Sequence, residues 1–170
     1  MPPPLKAAAG FGVTLRAMDD GDLPFVAELY ASTRREELAQ TGWPADVQEA
    51  FLRQQHEAQH SHYSLHHADA EWLIVERGDA PIGRLYLREE PQRFHVIDIS
   101  LLPESRGRGI GSSILRDTLA HANSLGKQVS IRVEKFNPAR QLYHRLGFRL
   151  LEDQGIYDLM ITAGPPLGPS

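Results

Sequence analysis

The run Arg106-Gly107-Arg108-Gly109-Ile110-Gly111 follows an apolar stretch, residues 96–102, and opens an amphipathic one. A chain that leaves a buried strand through three closely set glycines and then turns helical has few architectures open to it. The unit is strand, tight turn, helix start. Such a turn gathers unpaired backbone N–H groups and the positive end of a helix dipole, which together make an anion site. Gly107, Gly109 and Gly111 let the backbone approach a diphosphate closely and take positive φ where the turn needs it. Arg106 and Arg108 add cations suited to phosphate oxygens. The spacing fits neither common phosphate loop. No lysine and hydroxyl follow at the Walker distance, and Ser112 stands where a dinucleotide fingerprint has glycine.

A second block lies downstream: Asn137-Pro138-Ala139-Arg140-Gln141-Leu142-Tyr143-His144-Arg145-Leu146-Gly147-Phe148, preceded by an alternating strand with Val129, Ile131 and Val133. The order Arg-x-x-Gly-x-Gly, then Asn…Ala-x-x-Leu-Tyr-x-x-x-Gly-Phe, resembles the GNAT superfamily of N-acetyltransferases. The resemblance implies an α/β (α+β) GNAT-like acyl-CoA N-acyltransferase fold. Its sheet is central, mixed and mostly antiparallel, with splayed central strands flanked by helices. It also implies acetyl-CoA as cosubstrate and direct transfer to a primary amine in a ternary complex. By position, Arg106, Gly107, Arg108, Gly109, Ile110, Gly111 and Ser112 then hold the pyrophosphate, the backbone of Ile99 and Leu101 pairs with the pantetheine arm, and Tyr143 is the acid that protonates the departing thiolate.

Other positions are less settled. The general base is Asp98 or His95, with Glu134 and bulk water as further choices. Asp98 is a carboxylate in an apolar strand, where it needs a purpose or a partner such as Arg84 or Arg88. His95 has a suitable ordinary pKa. Asn137 stands one residue late for the resembled cofactor-binding asparagine, whose position Phe136 takes. It reads equally well as a helix N-cap before Pro138.

The 170 residues suffice for one core. A formal net charge of −4 argues against general nucleic-acid binding and mildly favours a cationic substrate. With no cysteine, disulfides, thiolate metal sites and a cysteine nucleophile are out. No secretory signal or membrane span is apparent, so a cytoplasmic protein is expected. The expected partner is a small-molecule or peptide amine, and self-association, where it occurs, is expected as a homodimer. The segment His56-Glu57-Ala58-Gln59-His60 matches the zinc peptidase motif His-Glu-x-x-His. However, Tyr63 stands where the related motif needs a turn glycine, so no metal site is expected. The remaining alternatives are an acyl-CoA-binding module without turnover and, more distantly, a zinc-dependent His-Glu-x-x-His hydrolase.

Hydrophobic periodicity places strands at 13–16, 72–75, 82–87, 94–102, 129–133, 148–151 and 156–160. Helices fall from Pro24 to about Ala39, after a cap at Asp46, at 110–122 and at 138–146. The domain is expected over residues 11–162, with residues 1–10 and 163–170 as disordered tails because they are rich in proline and glycine.

Overall fold

The structure is a computed structural model, and it describes residues 2–163. Strand β1 (Val13–Ala17) leads to helices α1 (Leu23–Ala39) and α2 (Ala45–His66). Strands β2 (Glu71–Arg77), β3 (Ala80–Glu89) and β4 (Arg93–Leu101) form a meander. Helix α3 (Ile110–Ser124), β5 (Gln128–Glu134), α4 (Ala139–Arg145), β6 (Phe148–Gln154) and β7 (Tyr157–Thr162) complete the fold. The strands make one sheet in the order β1-β2-β3-β4-β5-β7-β6, antiparallel except for the β4–β5 pair. This is the expected mixed, mostly antiparallel sheet.

Two features of β4 set up the site. Tyr86 of β3 faces Asp98 and Leu87 faces Val96, so Ile97 is the extra residue of a β-bulge. The parallel ladder joins residues 93–96 to 128–131, although β4 continues to Leu101 and β5 to Glu134. The bulge thus sits where β4 and β5 stop pairing.

The amphipathic stripe of α3 does what its spacing requires. Ile110, Ile114, Leu115 and Ala122 are buried in one cluster with Leu85, Leu87, Phe94, Val96, Val129 and Ile131. Helices α1 and α2 meet through Tyr30, Ala31, Leu38 and Leu52, and α2 lays Tyr63 against Trp72 and Tyr86 on the other face of the sheet.

Some expectations change. Residues 2–10 pack onto the fold instead of trailing from it: Ala8 is fully buried and Ala8–Phe11 forms a short 3-10 helix. Composition misses this because the segment's backbone N–H groups find their partner over a hundred residues away in sequence. Asp46 is not a cap. It lies in the first turn of α2, where its charge suits the dipole, and Pro44 holds the cap position. Of the expected second tail, residues 164–170 lie outside the described residues.

Candidate active site

After β4 the chain makes a 3-10 turn, Pro103–Ser105, and enters the glycine run. Gly107 and Gly109 have φ of 71° and 87°, the left-handed region in which a side chain is strained, while Gly111 is already helical. The result is a concave backbone. The Ser113 N–H returns to the Gly109 carbonyl at 3.0 Å, but the six preceding N–H groups, Gly107 to Ser112, have no acceptor among the described residues. Six consecutive free donors at a helix N-terminus form a nest for an anion.

The two arginines divide. Arg108 is exposed with no partner among the described residues. Arg106 turns back instead of reaching outward, donating from Nε to the Leu101 carbonyl (2.8 Å) and from a terminal nitrogen to Ser32 Oγ (3.4 Å). It stitches the turn to β4 and α1, a role its place in the motif did not reveal.

The Leu102 N–H donates to the Ile82 carbonyl at 2.8 Å, which sets the phase of the β3–β4 ladder. In an antiparallel pair the bonding residues alternate. Ser100 and Asp98 therefore bond to β3, and Ile99 and Leu101 turn their N–H and C=O toward β5, beyond the end of the parallel ladder. Arg106 occupies the Leu101 carbonyl, so the groups still facing that gap are the Leu101 N–H and both polar groups of Ile99. Unpaired backbone in a sheet interior is costly unless something pairs with it.

Tyr143 comes to this region from α4. Its ring is 7% exposed, packed on Phe148 at 5.9 Å, and its hydroxyl has no partner among the described residues. Burial, reinforced by the nearby negative charge of Asp98, pushes its pKa up to about 12. A phenol so placed stays protonated at neutral pH and has a hydrogen to donate. Helix α4 is tied down by Arg140, which pairs with the buried Asp158 of β7 at 2.8 Å. Asn137 Oδ1 accepts the Ala139 N–H at 2.9 Å, so its carboxamide oxygen is committed to starting α4. Phe136, in the position of the resembled asparagine, is 97% exposed.

Across the sheet from α3 the site is made of side chains. Arg84, 3% exposed, donates from Nε (2.7 Å) and from one terminal nitrogen to the same Asp98 oxygen, and reaches Gln59 of α2 at 3.0 Å. Its guanidinium lies 4.7 Å from the centre of the Tyr86 ring, and Ser100 Oγ donates to the other Asp98 oxygen at 2.9 Å. Asp98 therefore has its partner, which weighs against it as a free base. His95 lies on the far side of the bulge, with Nδ1 2.8 Å from Ser130 Oγ. Burial, with the charge of Arg88, lowers its pKa to about 4, so it is neutral at physiological pH and a weak proton acceptor. His56 is likewise lowered to about 4, by burial and then by Arg84 and His60, and its Nε2 is buried without a partner. Tyr63 is pushed up to about 12, chiefly by burial.

Gln59, Tyr63 and Tyr86 carry no motif; the one available signal was an arginine, Arg84, inside an apolar strand. In the His-Glu-x-x-His segment, His56 packs on Tyr30 and His60 on Trp72. Among the described residues no group of three or more His, Cys, Asp or Glu is placed to hold a metal ion, and no helix is long and apolar enough to cross a membrane.

Comparison with known proteins agrees with this architecture. The model of the Acetyltransferase (GNAT) family matches residues 27–148. Mycothiol acetyltransferase of Corynebacterium glutamicum is 29% identical over 93 residues, 53% of this chain and 32% of that protein. The chain therefore aligns with about a third of the length of the curated relatives it matches. Among solved structures, the PaiA N-acetyltransferase of Thermoplasma acidophilum in complex with coenzyme A shares the fold at a TM-score of 0.66 and 17% identity, covering 88% of this chain and 98% of that one. A GNAT family acetyltransferase of Elizabethkingia anophelis with acetyl-CoA bound does so at 0.57 and 16%, covering 89% and 97%.

Proposed function

The chain belongs to the acetyltransferase (GNAT) family, and from that premise we propose that it transfers an acetyl group from acetyl-CoA to a primary amine. The observation that carries the reading is the row of six free N–H donors, Gly107 to Ser112, one turn beyond a strand edge with unpaired backbone at Ile99 and Leu101. A diphosphate fits the first and an amide-bearing arm fits the second, so the residues present suit coenzyme A. The two relatives of known structure with coenzyme A or acetyl-CoA bound support the same cosubstrate.

Acetyl-CoA supplies an acyl group already activated as a thioester. In this reading Gly107 to Ser112 grip its pyrophosphate with Arg108 as the outer cation. The β4–β5 gap beyond the end of the parallel ladder takes the pantetheine. The amine enters from the α2 face as the free base, since a primary ammonium with a pKa near 10 cannot attack a carbonyl. Asp98, held by Arg84 and Ser100, accepts a hydrogen bond from that amine and orients it, and the surplus proton leaves to water. Tyr143 donates its hydroxyl hydrogen to the sulfur as the carbon–sulfur bond breaks and regains a proton from solvent. His95 braces β4 on β5 through Ser130, and Asn137 starts α4; neither touches the reacting atoms. The acceptor of the mycothiol enzyme is not carried over, because the shared stretch is short. A cytoplasmic setting belongs to the same proposal.

Calorimetric titration with coenzyme A, followed by a thiol-release assay over a panel of amines, tests this. Uptake with acyl transfer to at least one amine is expected. Folded protein that takes up no coenzyme A ends the proposal, and uptake with no transfer to any amine reduces it to an acyl-CoA-binding module.

A further inference from the structure

Asp117 lies on the buried side of α3, 5% exposed, in a position that the apolar spacing of the helix would give to a hydrophobic residue. A carboxylate there needs strong partners. It has two: Oδ1 accepts the Ala7 N–H and Oδ2 the Ala8 N–H, both at 2.9 Å. These bonds clamp the N-terminal segment onto the helix that carries the anion nest. Within the clamped segment Pro3 and Ala8 are buried and Leu5 packs against the main core. Its short helix closes at Gly12 and is fastened to β2 by Arg77 Nε on the Phe11 carbonyl at 3.0 Å.

The end of the segment touches the site. The Phe11 ring tip lies 3.5 Å from the point where a Cβ on Gly109 would stand, so Phe11 flanks the left-handed residue on which the nest turns. Gly109 has no side chain to fix its own conformation, and its geometry depends on what packs beside it. This region lies before residue 27, where the match to the family begins.

We propose that residues 3–11 are a strap that holds the coenzyme turn in its binding shape, with Asp117 as the clamp, Phe11 as the wedge, and both as positioning residues for coenzyme affinity. The inference rests on the coenzyme reading above. The test titrates coenzyme A calorimetrically into the wild type, Asp117→Asn, Phe11→Ala and Phe11→Leu, with thermal unfolding and the KM for the amine measured on each. Asp117→Asn and Phe11→Ala should weaken coenzyme A binding about five- to tenfold while leaving the amine KM unchanged, and Phe11→Leu should restore most of the affinity. Variants that melt earlier yet bind coenzyme A like the wild type overturn the strap and leave the coenzyme reading standing. A wild type that binds none overturns both. If Asp117→Asn does not fold, Phe11→Ala decides, because Phe11 is only half-buried.

Discussion

Residues 99–112 offer a ligand mostly backbone, six N–H groups of the glycine turn and the open edge of β4, whereas the face beneath α2 offers side chains: Arg84, Asp98, Gln59, Tyr63, Tyr86 and two neutral histidines. A backbone site of this kind, on the proposed reading, recognises something every coenzyme molecule shares and is indifferent to most substitutions that respect φ and ψ. A side-chain site can be rebuilt one residue at a time for a different acceptor. Damage to the first should appear as lost coenzyme affinity, and damage to the second as lost stability or acceptor use. Tyr143 stands between them.

The sharpest way to break the division is Tyr143→Phe. Its hydroxyl bonds to no group among the described residues, so folding and coenzyme affinity should hold while kcat falls by about 10²–10⁴. An equal loss of coenzyme binding, measured by titration, would move Tyr143 into the backbone site. Next is Arg84→Met, which strands the partly solvated Asp98. Urea unfolding should show a loss of about 3 kcal/mol, and Asp98→Leu added to it should recover much of that loss.

Acid should act on the side-chain face as well. His56 and His95 have folded pKa values near 4 against an ordinary 6.5. The unfolded chain therefore binds protons first as pH falls, and their contribution, full above 6.5, is lost progressively towards 4. The expected cost is about 2.5 kcal/mol for each histidine, read as a falling urea midpoint between pH 7 and 4.5 that the double variant His56→Gln/His95→Gln flattens. Smallest is Gly109→Ala, where a Cβ at φ 87° costs about 1–2 kcal/mol. That should appear as roughly tenfold weaker coenzyme A binding with an unchanged amine KM.

How much of this was legible depended on how local the cause was. The helical spacing of Ile110, Ile114 and Ala122, the alternation in β5 and the glycines at 107 and 109 are short-range signals, and the structure uses them as they read. Where a side chain acts over distance, the sequence leaves its partner open. Arg106, expected as a phosphate ligand, also stitches the turn to β4 and α1. Asp98 reads as a base or as the partner of Arg84 or Arg88, and only the fold picks out Arg84. Residues 2–10 looked like a tail and are held by Asp117. Tyr63 and Gln59 carried no signal at all, because α2 reaches Tyr86 and Arg84 only once the sheet has formed.

Taken alone, the amino-acid order determined the strand–turn–helix unit and the sequence of elements, since backbone sterics and hydrophobic period act within a few residues. The tertiary structure alone decided which charges neutralise one another, which histidines lose their proton affinity, where the parallel ladder stops and what braces Gly109. Those outcomes depend on burial and on partners brought together from distant parts of the chain.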